Sequence, residues 1–149
     1  MVDVREDIIL RLVEVVATIP NIRSAYRNNT EIAENQKPAA VVLDGDEEAN
    51  DSQKNHPSGS PIIVQMTPGI IVFGLAATAG PDLSIMRAEL IKRVLFDTEL
   101  NSLIAKSAPR GEGAIRYLGC QTDVGWLRDQ FVSMAAQFSF KYALRPEQL

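Results

Sequence analysis

The sequence predicts an α+β domain: a largely antiparallel or mixed β-sheet with two main helices packed on one face. Three observations carry that expectation. Apolar residues recur at helical spacing twice, at Ile8, Leu12, Val15, Val16 and Ile19, and again at Leu83, Met86, Leu90 and Val94. Over residues 132–142, Val132, Met134, Ala136, Phe138, Phe140 and Tyr142 alternate with Ser133, Ala135, Gln137, Ser139 and Lys141, the period-two pattern of a strand with one buried face. The order of elements is helix, strands, helix pair, strands, which suits helices segregated to one side of a sheet.

Taken in order, Asp3 is the predicted N-cap of the first helix, with Glu6 placed three residues on as in a capping box. Ile9 and Val13 widen its apolar stripe, and Pro20 ends it because a proline ring cannot continue the hydrogen-bond ladder. Residues 22–27 read as a short strand. Residues 39–43 (Ala39, Ala40, Val41, Val42, Leu43) are apolar on both sides, the mark of a central strand. Asp44-Gly45 closes it as a turn. Residues 61–66 and 70–78 read as two further strands, and Thr67, Pro68 and Gly69 between them predict a β-hairpin. Gly80, Pro81 and Asp82 open the second helix, and Asp97 or Thr98 caps a shorter one carrying Leu100, Leu103 and Ile104. Residues 109–113 form a turn. In the strand over 114–122, strict alternation puts Ile115, Tyr117 and Gly119 on one face and Arg116, Leu118 and Cys120 on the other.

A chain of 149 residues is expected to form a single domain over 1–149, with an exposed acidic loop at about 44–60 and a short polar C-terminal tail. Its 46% hydrophobic and 23% charged residues are ordinary for a globular chain, and the net charge of −4 argues against free DNA or an anionic membrane as a direct ligand. No apolar run approaches the roughly 20 residues of a membrane span. Cys120 is the sole cysteine, so no intramolecular disulfide forms, and synthesis in a reducing compartment is expected. The acidic-leaning start (Asp3, Glu6 and Asp7 against Arg5) is unlike a signal peptide.

The long polar insert after residue 43 is the feature that asks for a function. It carries Asp44, Asp46, Glu47, Glu48 and Asp51 against Lys54, and is far longer than the usual connection of about 4–6 residues. Asp44, Asp46 and Glu48 fall at the first, third and fifth positions of an EF-like loop. Ala49 then stands where that loop needs glycine and Asn55 where it needs glutamate, so no metal is assigned. His56 has no nucleophile elbow near it, and Gly111-Glu112-Gly113 lacks the third glycine of a phosphate cradle. No catalytic residue and no cofactor follow from the residues; the expectation is a protein that binds or assembles. The interface candidates are the acids Asp44, Asp46, Glu47, Glu48 and Asp51, the turn residues Thr67 and Pro68, Arg110, and the Trp126 and Arg128 pair. Tryptophan and arginine are favoured anchors at subunit contacts, although the first reading of Trp126 is a cap over the sheet end.

Several segments together resemble the tail terminator proteins of long-tailed bacteriophages. They are the helix ending at Ile19-Pro20-Asn21-Ile22, then Tyr26-Arg27, then residues 38–45, the Met66-Thr67-Pro68 segment, the helix over 86–97, and the closing Phe138-Ser139-Phe140-Lys141-Tyr142. The resemblance spans about residues 8–142. It implies a non-enzymatic virion subunit, made in the bacterial cytoplasm, that forms a hexameric ring on the head-proximal end of the tail tube. Such a ring stops tube growth and joins the tail to the head-tail connector or neck. Its implied partners are further copies of itself, the tail tube protein and the connector, with DNA only as cargo through the lumen, no cofactor and no membrane. Another neck or tail-completion subunit is the alternative within that class, and a small ligand-binding domain or enzyme the alternative outside it.

Overall fold

A computed structural model describes residues 3–49, 61–75, 79–108, 111, 113–124 and 131–149. In chain order the elements are α1 (Val4–Ala17), β1 (Ser24–Arg27), β2 (Ala39–Leu43), β3 (Glu47–Ala49), β4 (Ile62–Met66), β5 (Gly69–Leu75), α2 (Ala79–Leu95), α3 (Thr98–Ser107), β6 (Ala114–Val124) and β7 (Phe131–Leu144). The strands form one mixed sheet: β1 runs parallel to β2, and every other pairing is antiparallel. The fold is α+β, as the order of elements predicts.

Both expected caps are present. The Asp3 carboxylate accepts from the Arg5 N–H at 3.1 Å, and the Asp97 carboxylate accepts from the Leu100 N–H at 3.0 Å. Glu6 does not close a capping box; its carboxylate is drawn to Arg27 on β1 instead. A guanidinium offers two charge-assisted bonds where the backbone offers one neutral donor, so the pair with arginine wins. Arg11 holds Asp97 with both ends of its fork, at 3.0 and 2.8 Å, and so ties α1 to the start of α3.

The helices pack on a single face. Ile8, Ile9, Leu12 and Val16 of α1, Met86, Leu90 and Val94 of α2, and Leu100 of α3 meet Ala40, Val42, Met66, Ile70, Val72, Phe138, Phe140 and Tyr142 of the sheet. Fully burying each large side chain of this kind contributes about 1.5–3 kcal/mol. Ala39, Val41, Ile63 and Ala143, pointing the other way, are also buried, so the central strands are apolar on both faces.

The expected hairpin at Thr67–Gly69 does not form. Met66 lies opposite Phe140, and Gly69 lies opposite Gln137, three residues further along both strands. β4 and β5 are therefore two halves of one line, running in unbroken register along a single edge of β7. The Phe138 N–H still donates to the Pro68 carbonyl at 3.2 Å across the interruption. Pro68 interrupts because it has no N–H to give the next strand, not because the chain turns. Val64, Met66, Pro68, Ile70 and Val72 are buried in steady alternation, which a two-residue reversal would have broken.

β2 and β3 make a second interrupted line beside the first. Leu43 pairs with Gly69 and Glu47 with Met66, so four steps on one strand face three on the other. The extra residue is a bulge at 44–46, and Glu47, Glu48 and Ala49 are strand rather than loop. The remainder of the expected acidic loop, including Asp51, lies outside the described residues. Gly45 permits the bulge, since a Cβ there would sit 1.9 Å from the Thr67 carbonyl oxygen. On the other edge of β7, β6 carries its own insertion: Tyr117 faces Phe138, Gly119 faces Gln137, and Leu118 is the extra residue. Gly119 takes φ +136°, a conformation L side chains rarely adopt. The insertion reverses the alternation expected from the sequence, so that Cys120 shares the face of Tyr117, not that of Arg116.

Gly45→Ala should destabilise the fold by about 1–3 kcal/mol, the usual cost of forcing atoms into filled space. Chemical denaturation reads this directly, and wild-type stability in that variant would contradict the close approach of Gly45 to Thr67.

Candidate functional site

The bulge and the strand break lie side by side, and together they build one corner of the molecule. The Thr67 N–H donates to the Asp46 carbonyl at 3.1 Å, which joins the two interruptions. Arg27, on β1, supplies the clamp. Its Nε and Nη2 donate to the two oxygens of Asp44 at 2.9 and 2.8 Å, and its Nη1 and Nη2 donate to Glu6 of α1 at 2.7 and 2.9 Å. Arg5 reaches over to donate to the Gly45 carbonyl at 2.8 Å. The Asn28 side chain, on a residue with φ 57°, accepts from the Asp44 N–H at 2.9 Å. On the far side the buried Tyr142 hydroxyl bonds to the Glu47 carboxylate.

The electrostatics follow from that geometry. Hydrogen bonding to Arg27 holds the Asp44 carboxyl below its ordinary value, and the same guanidinium lowers Glu6. Asp97 is lowered in the same way by Arg11. Burial, and then the Glu47 carboxylate, push the Tyr142 hydroxyl up, so it stays a neutral donor. A corner with five acids in and around it is thus partly neutralised from within, and its root is held by hydrogen bonds with Arg5, Arg27 and Asn28.

Six of the residues singled out from sequence are brought together here: Asp44, Asp46, Glu47, Glu48, Thr67 and Pro68. Their roles differ. Asp44 has both oxygens on Arg27, which removes it from any EF-like ligand set, and the extended path of residues 47–49 is not that of a calcium loop. Glu47 answers Tyr142, and Pro68 is buried, so neither is a free contact residue. Thr67 is half-buried. Asp46, Glu47 and Glu48 are all exposed, and of the three Glu47 is the one tied to Tyr142, so Asp46 and Glu48 are the acids left to face a partner. Asp51, Arg110, Trp126 and Arg128 lie outside the described residues. Arg5, Glu6, Arg27 and Tyr142 stand in the corner but are not among the interface candidates that the sequence offers. The pairing of β1 with β2 brings Arg27 beside Val42, two residues before Asp44, and one sequence carries no sign of which strands pair.

Two depressions flank this end of the sheet. A shallow one is lined by Glu48, Ala49, Ile63, Val64, Gln65 and Lys141. The other, about 180 Å³, lies among Val4, Asp7, Leu103, Lys106, Ser107 and Arg145, below the roughly 300–1,000 Å³ of small-molecule sites. Among the described residues no three His, Cys, Asp or Glu side chains are grouped to hold a metal ion, and no helix is long and apolar enough to cross a membrane.

No family model matches this chain, and no curated protein matches it. Among solved structures it is similar to a chain in the virion of a native gene transfer agent particle. The TM-score is 0.45 and the sequence identity 12%, covering 89% of this chain and 84% of that one.

The Arg27 clamp gives the corner a defined pH response. Because Asp44 and Glu6 bind protons less readily folded than unfolded, their contribution is complete above their ordinary values of 3.8 and 4.5, and drains away as pH falls below them. Replacing the clamp with Arg27→Met should lower the denaturation midpoint at neutral pH and flatten the loss of stability between about pH 5 and 3. An unchanged acid limb in that variant would show that the clamp is not the source of the response.

Proposed function

We propose that this chain is a structural subunit of a phage-like virion. In this reading it forms a ring at the head-proximal end of a tail tube, ends tube growth there and joins the tail to the head connector. It acts by assembly, without catalysis and without a cofactor, and DNA crosses the ring as cargo only. The reading rests on the resemblance of residues 8–142 to tail terminators. The observation that carries it is the corner itself, where Asp46 and Glu48 stand exposed on a root fixed by α1, β1, β4 and β7.

A contact surface held rigid before binding loses less conformational freedom when it docks. Repeated around a ring, the outward acids would meet a basic partner at low entropic cost, or would repel the DNA backbone and keep it from lodging. The clamp residues Arg27 and Asp44 hold the surface, and Asp46 and Glu48 present it.

Electron microscopy of the purified protein, with its native mass, tests the ring. Six-fold particles with a central opening of roughly 20 Å or more, enough for duplex DNA, are expected either alone or at the ends of added tail tubes. Monomers in both settings would overturn the assembly reading. The double variant Asp46→Asn with Glu48→Gln should fold with wild-type stability yet lose attachment to its neighbour. Normal attachment would remove the acidic corner from the contact.

A further inference from the structure

β6 closes the sheet on the side away from β1, and among the described residues it pairs with β7 alone. Its outer edge is an eleven-residue line of backbone donors and acceptors. Such an edge is a template for another strand, and charged side chains and bulges normally control what it accepts. Both are present here: Arg116 and Asp123 are exposed, and Leu118, the inserted residue, is 49% exposed.

The insertion decides how the edge can be matched. Before Leu118, Arg116 lies opposite Ser139; after it, Gly119 lies opposite Gln137, Gln121 opposite Ala135 and Asp123 opposite Ser133. All four β6 residues therefore share the face away from the helices. Tyr117, Cys120 and Thr122 share the helix-covered face, with Arg87 of α2 over the Tyr117 ring at 6.0 Å. Two antiparallel strands can join only residues of the same face.

We propose that β6 is the docking strand for a second copy of this chain. The two β6 strands pair antiparallel about a two-fold axis through Cys120, with Arg116 of each copy facing Asp123 of the other. With Leu118 looped out, a pairing centred on Cys120 sets Gly119 against Gln121, Tyr117 against Thr122, and Arg116 against Asp123, every pair on a common face. Arg116 and Asp123 have no ion-pair partner within their own chain among the described residues, so each is available to the other copy. Centring the contact on Arg116 or on Asp123 would oppose like charges, which is unfavourable across strands. The charges that guard the edge against other strands thus select one register of its own. The axis stands perpendicular to the sheet, so the helices of both copies lie on the same side and the two sheets become one.

The pairing goes beyond the ring reading: it is a two-fold contact of the free chain, separate from the head-to-tail contacts of a ring, and the two assemblies are told apart by mass and symmetry. Sedimentation of the full chain in reducing buffer, at high micromolar concentration, should show a dimer. Arg116→Asp or Asp123→Arg alone should weaken the dimer by about tenfold or more, through two opposed like charges, and the two together should restore it. Mild copper–phenanthroline oxidation should cross-link Cys120 to Cys120, because directly opposed Cα atoms stand about 4.5–5.5 Å apart, within the span of a disulfide. Cys120→Ser should keep the dimer and lose the cross-link. A monomer at every concentration, a dimer indifferent to both charge reversals, or a wild-type dimer that gives no cross-link would each overturn the proposal.

Discussion

The rest of the structure depends on the register between residues 62–75 and β7. Fourteen residues run against fourteen without an insertion on either side, through a proline that removes one N–H from the line. Because the register holds, Val64, Met66, Ile70 and Val72 all fall on the face that carries Phe138, Phe140 and Tyr142, and the helices have one continuous apolar floor. A slip of one residue would turn each of these side chains to the opposite face. The penalty for slipping is paid by the whole core at once, which is why a locally weak point such as Thr67-Pro68 does not become a turn.

Irregularity is instead displaced to the flanking strands, and there it is stabilised by charge. The bulge at 44–46 needs a residue without a side chain at Gly45, and it leaves the backbone around Asp44 without ordinary ladder partners. Arg27, Arg5 and the Asn28 amide fill those needs from two neighbouring elements. Arg27 and Glu6 are both half-buried, so solvent screens part of the attraction. Its role is geometric as well as energetic: the planar fork fixes two carboxylates relative to each other and thereby sets the path of the chain into β3.

Most of the architecture was legible in the sequence because periodicity reports burial. The helices, the central apolar strand and the long alternating strand at the carboxyl end all announce themselves in this way. Failures came where periodicity is silent. A Thr-Pro-Gly between two apolar runs is locally the same whether the chain reverses or merely loses a hydrogen bond, and only the partner strand decides. The doubly apolar run from Ile70 to Phe73 hid the parity that would have spoken for a straight path. The acidic residues of the candidate site were conspicuous through composition. The cation that organises them was not, since Arg27 reaches Asp44 through strand pairing and Glu6 through helix packing, neither of which a single sequence records.

One device accounts for the surface on both sides of the central pair. A single inserted residue in a strand reverses the facing of everything beyond it. At 44–46 this turns Glu47 toward the helix face, where Tyr142 meets it, and sends Glu48 to the opposite face. At Leu118 it turns Cys120 toward the helices and brings Asp123 onto the same face as Arg116. Without the first insertion, Glu48 would point at the core side and Glu47 away from it; without the second, Arg116 and Asp123 would stand on opposite faces and could not meet across a shared edge. The long central register makes the core, and the two insertions beside it determine which charges the molecule shows to a partner.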